Sequence, residues 1–597
     1  MLKSLYDYAI RNDLVLPSGY VKKVIKAWIL LYEDGTFQGI EMGSSEAIAV
    51  PDIGSLANSA DKCNILREKR SVVIPEKPSA KSSYFLSTLR DAAEAEPSLS
   101  LCADALENEA TAATIRQALD DAKIKKNDVI SFKVNLQPIM DSPRFLSWWE
   151  NFRSTLGKKN GSSSLCLITG QETVPLSTVS KVVGLRSVGG HASGDALICF
   201  DKSAFCSYGL KQGANAPVSE EAFSAANAAL NELLEHAPSL AGMKFVHWFN
   251  RTLPLEEDPF ASCRDFLGMD VDDDTEKVTG EESINEFALT AQANELVESV
   301  KSGKHVSMNS DVEYSILLLS GVSGRVMIRR WEQGNYAELK KRLEQWSQDL
   351  ELVHPSGSGT IRSQKLSARL LRLMKYQSVD KNPFERAAKE LSGLSPAILN
   401  AILSGGPLPD AVAVRALNYI RSSMLSVDDD GKNTSGIFGK DACVWQWLKV
   451  WLLRKNGRSE NNLMSEYNPD YQGDAYHCGA QMALFEAIQN LADPNVNVTV
   501  AERYYASCIQ TPALVLGRLS QLSQYHLAKV GDKYKSLAEI YREKLATVNA
   551  SMEGKAPTTL TLTQQSEFAL GYYQMHALLS REKNERIVAK KEKEAKN

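Results

Sequence analysis

The chain has 597 residues, of which 43% are hydrophobic and 24% are charged, and 68 basic against 73 acidic residues give a formal net charge of −5. This composition is that of a soluble globular protein with several domains, and no apolar run approaches the roughly 18 residues that a membrane span needs. The N-terminus carries no secretion signal and the 9 cysteines form no CxxC pair, which favours reduced thiols in a cytoplasmic protein over a disulfide framework or a zinc site.

Residues 1–150 are predicted to form an α+β region. Two apolar runs, 24–31 and 36–41, flank Asp34-Gly35, an arrangement typical of a strand, a tight turn and a second strand. An alanine-rich helical region follows over residues 87–123. The whole-chain charge hides local asymmetry, so charge alone decides nothing about partners.

Residues 184–234 hold the most informative order of segments. A glycine-rich loop leads to a predicted strand over 196–200, and Ser219 is placed to cap a helix over 220–234. The glycines permit left-handed or closely approached backbone, but no GK[ST] follows them, so a nucleotide site is not expected. Further strands are predicted over 165–169 and 244–248, and together these segments form an α+β unit over 151–254. Taken singly, each residue of this block is explained equally well by a purely structural role in a tight loop, a buried strand or a capped helix.

The second half of the chain is predicted to be mostly helical. Residues 255–283 are strongly acidic and read as a linker or insertion, and a helix is predicted over 283–302. A hairpin over 314–331 opens a middle domain, 284–440, in which the pattern beyond Tyr336 is helical. A helical bundle then fills 441–597. The fold class is therefore α+β: short, mainly antiparallel sheets in the N-terminal half, followed by an all-helical C-terminal bundle.

Two basic clusters are candidate contacts for nucleic acid. The first has steps of 3, 4, 3 and 3 residues, which would place five cations on one helix face beside an apolar stripe: Arg362, Lys365, Arg369, Arg372 and Lys375. The second lies in a loop rich in proline and serine: Asn64, Lys69, Arg70, Lys77 and Lys81. A solvated helix face paired with acids and an ordinary exposed loop are the competing interpretations.

The sequence contains few residue patterns that are typical of a catalytic site. The 8 histidines form no HExxH motif and no ligand pair four residues apart. The carboxylate runs 272–274 and 428–430 lie in charged or glycine-rich loops, where solvation is the simpler explanation. No catalytic residue, metal site or cofactor is predicted.

Over nearly the whole chain, the order of segments resembles the large subunit of the type I-C CRISPR Cascade complex. The resemblance rests on the 184–234 block, the strand pair at 314–331, the helix–turn–helix SPAILNAILSGGPLPDAVAVRALNYIR, the segments 467–488 and 498–527, and EFALGYYQ near the end. Residues 40–150 match weakly, and alanine follows Gly479 where the family tends to carry arginine.

The resemblance implies a DNA-recognition subunit that is not an enzyme. It would read a protospacer-adjacent motif in duplex DNA, help to unwind it, stabilise the R-loop and the displaced strand, and support recruitment of a helicase-nuclease. Its other partners would be the Cascade backbone and end subunits that carry the crRNA, and a small helical subunit made from its own C-terminal part, starting at Met482 or Met464.

The site residues are assigned with this function in mind. The loop cluster at 64–81 would lie near the motif duplex, the five-cation helix face would guide the DNA backbone, and an adjacent loop would be shaped by Ser193, Asn215 and Ser219. Two other classes stay open from the sequence: a helical protein scaffold without direct DNA reading, and a metal-dependent nuclease.

Overall fold

A computed structural model describes residues 1–17, 19–156, 163–240, 242–252, 312–361, 366–375, 382–424, 441–455, 463–496, 498–552 and 555–596. The chain divides into two compact units. The first unit comprises Met1–His236 together with Ser320–Met327, and the second comprises Ala237–Leu319 and Ile328–Asn597.

The first unit contains a five-stranded sheet. In the order β3-β2-β6-β5, with β7 paired to β6, the central strands β2 and β6 run parallel and the other pairs are antiparallel. Two further two-stranded ribbons pair β1 with β4 and β8 with β9. The strands are β1 (Tyr20–Lys23), β2 (Ala27–Leu31), β3 (Phe37–Met42), β4 (Ile48–Pro51), β5 (Glu68–Lys69), β6 (Val129–Val134), β7 (Gln137–Pro138), β8 (Ser164–Leu165) and β9 (Glu172–Thr173).

The strand–turn–strand prediction around Asp34-Gly35 is confirmed. All five residues of β2 are buried because the strand lies in the middle of the sheet, and at the turn the Asp34 carboxylate accepts the Thr36 amide at 2.9 Å. One core joins the sheet to the helices around it. The helices of this unit are α1 (Leu2–Arg11), α2 (Arg70–Val73), α3 (Ala80–Ala93), α4 (Ser98–Glu107), α5 (Glu109–Asp121), α6 (Pro143–Leu156) and α7 (Glu220–Glu235).

Two strand predictions in the first unit are wrong. Residues 196–200 form no strand; Ala196 makes only an isolated bridge to Arg325, and the residues after it are half-buried or exposed. The strand expected over 165–169 is reduced to β8, because Cys166 accepts the amide of Gly170 and closes a tight turn. An apolar run becomes a strand only where a neighbouring strand offers backbone partners along its length.

The second unit begins with a four-stranded sheet in the order β10-β11-β12-β13. The hairpin predicted over 314–331 is confirmed, with longer strands and Ser323 and Gly324 at its turn, both with positive φ. Buried residues of β11 and β12 belong to a large core shared with the helices that follow. The strands are β10 (Ser239–Leu240), β11 (Met243–Phe249), β12 (Glu313–Val322) and β13 (Arg325–Asn335).

The rest of the second unit is helical in its described part, as the periodicity predicts. Residues 405–409 separate two consecutive helices, and Trp445, Trp447 and Trp451 are core residues with at most 1% exposure. The helices are α8 (Tyr336–Leu350), α9 (Leu366–Leu371), α10 (Pro383–Glu390), α11 (Leu394–Ser404), α12 (Asp410–Met424), α13 (Cys443–Lys455), α14 (Asp474–Ala492), α15 (Val500–Cys508), α16 (Pro512–Lys533), α17 (Lys535–Ser551) and α18 (Leu562–Lys596).

The α+β fold class is confirmed by this arrangement of sheets and helices. The acidic segment 255–283, the helix expected over 283–302 and the carboxylate runs 272–274 and 428–430 lie outside the described residues. The division into an N-terminal region, a middle domain and a C-terminal bundle stays a prediction. None of the described helices combines the length and the apolar character needed to cross a bilayer.

Candidate nucleic-acid interface

The five-cation helix face does not exist as predicted. Arg362 and Lys365 lie outside the described residues, and α9 ends at Leu371, before Arg372 and Lys375. Arg369 is only 2% exposed and its guanidinium donates to the side-chain carbonyl of Gln446. Burial lowers the pKa of Arg369 to about 10. A regular spacing of cations identified one side of a helix, but that side faces the protein interior at Arg369.

Arg372 likewise forms its contacts inside the second unit. Its guanidinium contacts the Asp441 carboxylate at 2.6 Å, and the Tyr419 hydroxyl donates to the other oxygen of the same carboxylate at 3.1 Å. The side chains of Arg372 and Asp441 are 18% and 9% exposed. Lys375 is exposed. Of the predicted face, only Lys375 is thus described as a cation on the surface.

Because Arg372 is paired inside the protein and Lys375 is exposed, substitution of the two residues should affect stability very differently. Arg372→Ala should lower the free energy of unfolding by roughly 2–4 kcal/mol, because it leaves the Asp441 carboxylate without its ionic partner in a mostly buried position. Lys375→Ala should change it by less than about 0.5 kcal/mol. Urea denaturation of the two variants measures both values, and equal stabilities would contradict the structural role of Arg372.

The loop cluster at 64–81 is partly structural. Asn64 is 5% exposed and accepts the Ile53 amide at 3.0 Å, so it does not lie on the exposed loop that the sequence predicts. Arg70 donates to the Ile124 carbonyl at 2.6 Å and pairs with Asp120. The Lys81 ammonium donates to the Ala57 carbonyl at 2.8 Å. The predicted loop is thus partly regular structure, since Arg70 begins α2 and Lys81 lies in α3, and these polar side chains satisfy backbone groups of the chain around them.

Lys69 and Lys77 are exposed, and the fold adds a cation that the sequence did not single out. Lys69 pairs in register with Val129 on one side, and the Lys26 amide donates to the Val129 carbonyl on the other. Lys26 is exposed as well. The two lysines therefore lie two strands apart, roughly 10 Å, at one end of the sheet. Their separation of 43 positions in the sequence hides this proximity.

The glycine-rich loop is a rigid structure. Gly189 has a φ of 90°, and a Cβ atom there would lie 2.6 Å from the Gly321 carbonyl oxygen in the hairpin tip. The Asp195 carboxylate, which is fully buried, accepts the His191 amide at 3.1 Å and contacts its ring Nδ1 at 3.2 Å. The glycine freedom expected from the sequence is thus used to bring two backbones together. The side chains of His191 and Ser193 remain exposed beside it.

Asn215 and Ser219 support the loop that follows. The Asn215 amide group accepts the Ser207 backbone N–H at 2.8 Å and donates to the Gln212 carbonyl at 2.9 Å. Ser219 caps α7 by accepting the Ala222 amide at 3.2 Å, which confirms the predicted cap. Both side chains are half-buried and positioned by the protein itself. Their described contacts match a role in shaping the loop.

Cys166 joins the start of α7 to the β8 turn. Its sulfur accepts the Ser219 backbone N–H at 3.3 Å. Burial raises the pKa of this thiol, but hydrogen bonds from the side chain and amide of Thr169 and from the Ser219 amide outweigh burial and lower its pKa to about 7. The Cys166 thiol therefore ties the start of α7 to the turn that follows β8.

We call the exposed surface formed by residues 184–216 and the hairpin tip Ser320–Met327 the loop platform. The two parts meet where the Ala196 amide donates to the Gly324 carbonyl at 2.9 Å and the Val326 amide donates to the Ala196 carbonyl at 3.0 Å. The Arg325 guanidinium lies over the Phe205 ring, 5.0 Å from its centroid. These contacts combine an arginine from a hairpin with an aromatic ring from a loop 120 positions earlier.

The loop platform carries an excess of free positive charge. Four exposed cations form no ion pair with any residue of the described ranges: Arg186, Lys202, Lys211 and Arg325. Asp201 is the exposed acid of the platform, whereas Asp195 is buried and bonded to His191. Unpaired cations around exposed aromatic rings suit a nucleic-acid strand, since the cations neutralise phosphates and the rings stack on bases.

Sequence reasoning gave no role to any of the residues that form this surface: Phe205, Tyr208, Arg186, Lys202, Lys211 and Arg325. The signal that could have found them is the mixture of aromatic and basic residues over 202–211. Arg325 had no such local signal, because it reaches the platform only through the fold. Within the described ranges, no group of three or more His, Cys, Asp or Glu side chains is arranged to hold a metal ion.

The family model for the CRISPR-associated protein (Cas_Csd1) matches residues 2–578. The chain therefore belongs to this family of CRISPR-associated proteins, and the resemblance noted from the sequence is confirmed at that level. None of the curated proteins gives a significant match to the chain.

Proposed function

We propose that this chain is the large subunit of a type I-C Cascade complex and that it recognises the protospacer-adjacent motif in duplex DNA through the loop platform. The observation that carries the proposal is the set of four exposed cations that form no ion pair with the described residues, on a surface where Gly189 packs closely against the hairpin tip. A braced loop favours reading of a short motif, because little conformational entropy is lost when it meets the duplex. Phosphate contacts position the protein and base contacts supply the specificity.

Each part of the platform has its own role in this proposal. Arg186, Lys202, Lys211 and Arg325 bind phosphates, whereas His191 and Ser193 face the base edges. The exposed Lys26 and Lys69 at the sheet end, together with the exposed Lys77, extend the contact along the duplex. We further propose that the complex acts in the cytoplasm, that the chain stabilises the R-loop and its displaced strand, and that it supports recruitment of a helicase-nuclease without itself cutting DNA.

The decisive experiment compares complexes assembled with and without this chain. The crRNA-loaded complex is offered a target duplex with an intact or a scrambled adjacent motif, and binding is measured by filter retention. Loss of motif-dependent binding when the chain is omitted supports the proposal. Unchanged motif preference would assign the reading to another subunit and leave this chain as a scaffold. Cleavage of the duplex by the purified chain with Mg²⁺ or Mn²⁺ would contradict the non-catalytic role.

The structure also bears on where a separate C-terminal subunit would start. Met482 is fully buried within α14, so a product beginning there would lack the first eight residues of a helix that spans Asp474–Ala492. A product that begins at Met464 would contain the whole helix and also the preceding segment, which contacts it. In that segment the Tyr467 hydroxyl contacts His477 at 3.0 Å, and the Tyr471 hydroxyl donates to Glu567 at 2.9 Å. We therefore expect internal translation to begin at Met464.

This expectation is checked by intact-mass analysis of the complex purified from cells. Met464→Leu should remove the small product, whereas Met482→Leu should leave it, and the second exchange conserves core volume. A mass that corresponds to a start at Met482 would contradict the choice of Met464. Absence of any small product from the unaltered gene would contradict internal translation itself.

A further inference from the structure

Tyr208 lies on the loop platform in a tight turn, which the Leu210 amide closes by donating to the Ser207 carbonyl at 2.9 Å. The turn requires the backbone conformation of its central residues but does not require a tyrosine. Its side chain is 100% exposed, compared with 78% for Leu514 and 70% for Tyr525, two other highly exposed large hydrophobic residues. Its backbone has a φ of 54°, in the left-handed region that non-glycine residues seldom adopt. A tyrosine in this conformation costs conformational energy and buries nothing, so packing within the described chain does not explain it.

The loop around Tyr208 is held in shape. Asn215 accepts the amide of Ser207, immediately before Tyr208, and bonds the Gln212 carbonyl on the far side of the turn. Gly209 follows with a φ of 70°. The ring is therefore presented on a fixed base, and a fixed aromatic ring loses little entropy when it stacks on a planar group.

The surroundings of Tyr208 identify the planar group. Lys202 and Lys211 lie on the same exposed loop, and Arg325 covers Phe205, whose ring is 38% exposed. An aromatic ring flanked by cations suits a base attached to a phosphate backbone, and a base can present its face only where it has left the double helix. An apolar partner would leave the cations unpaired, and an acidic partner without a planar group would leave the exposed ring without a stacking partner.

We propose that Tyr208 stacks on an unpaired base of single-stranded DNA. This inference rests on the proposed function and specifies it: the platform that binds the duplex also holds a base of the opened strand. Because every base has a π-face, the contact carries no sequence preference. The ring is the essential group, and the hydroxyl is not.

The test uses the full chain and a single-stranded oligothymidine probe that contains one 2-aminopurine, whose fluorescence falls when the base stacks. The unaltered chain should quench the probe. Tyr208→Gly should lose the quenching and bind about 10-fold more weakly, in the range measured for single base–aromatic stacks. Tyr208→Phe should match the unaltered chain within about twofold, since it keeps the ring. Tyr525→Ala, which removes an exposed tyrosine of the second unit, is the matched control and should change nothing.

Glycine is the chosen replacement because it relieves the positive φ. Tyr208→Gly should keep or raise the unfolding temperature while it loses binding, a combination that a merely structural residue would not give. Quenching and affinity equal to those of the unaltered chain would overturn the inference, as would absence of quenching by the unaltered chain. Both results would leave the proposed function standing, because that function is judged on motif-dependent duplex binding by the assembled complex.

Discussion

Reversal of three platform charges, Lys202→Glu, Lys211→Glu and Arg325→Glu together, is expected to abolish stable binding of the target duplex by the assembled complex. The three cations are exposed and have no ionic partner among the described residues, so their full charge is available to phosphates. A charge-assisted contact is worth roughly 1.5–3 kcal/mol, so the loss of three predicts a fall in affinity of at least about 10³-fold. Motif and scrambled duplexes should be weakened alike.

The salt dependence of binding distinguishes this explanation from misfolding. Each phosphate contact that is lost should reduce the slope of log K against log salt by about 0.9, so the triple variant should show a slope shallower by roughly 2–3. A matched variant reverses three exposed lysines of the second unit: Lys535→Glu, Lys555→Glu and Lys583→Glu. It makes the same change in net charge and should bind normally. Equal losses in the two variants would show that net charge, and not the platform, governs binding.

Substitution of Gly479 by alanine is expected to have the largest effect on stability. A Cβ atom at Gly479 would lie 1.9 Å from the Phe568 carbonyl oxygen, and one at Gly571 would lie 2.0 Å from the Tyr476 carbonyl oxygen. Helices α14 and α18 therefore touch backbone to backbone at their crossing. Backbone atoms cannot move aside as a flexible side chain can, so Gly479→Ala should lower the free energy of unfolding by roughly 3 kcal/mol or more.

The matched control is Gly517→Ala in α16, where an added Cβ atom meets nothing within 4 Å. That exchange should stabilise the helix by about 0.5–1 kcal/mol, because alanine restricts the unfolded chain and favours helix. Urea denaturation followed by circular dichroism measures both values. A Gly479→Ala variant as stable as the unaltered protein would mean that the two helices can separate without cost. The same result would remove the reason for glycine at this position.

Local patterns predicted those elements whose cause is local. The Asp34-Gly35 turn, the Ser219 cap and the hairpin at Ser323-Gly324 each depend on neighbouring residues, and each is present in the structure. The tryptophans of α13 lie in the core, as expected for large apolar side chains in a helical segment. Periodicity also separated the helical second half from the mixed first half, since it reports which face of each element is apolar.

Charge patterns were less informative because a charge does not reveal its partner. Arg369 was expected on a surface, but Gln446, 77 positions away, binds it in the interior. Lys449 and Arg454 lie in the apolar helix α13 and are buried as well. The Lys449 ammonium donates to the Glu351 carbonyl at 2.6 Å, and the Arg454 guanidinium contacts the Asp349 carboxylate at 2.9 Å. From the sequence alone, a buried charged residue cannot be distinguished from an exposed one, because its partner lies on a distant segment of the chain.

The sequence by itself determined the α+β class, the mainly helical character of the second half in its described part and, through the order of its segments, membership of a CRISPR-associated family. These depend on short-range chemistry and on similarity along the chain. Only the tertiary structure decided which cations are free, because Arg325 meets Phe205 across 120 positions, whereas Arg369 and Arg372 are bound inside the second unit. Ion pairing and burial depend on distances in space, and those distances exist only once the chain has folded.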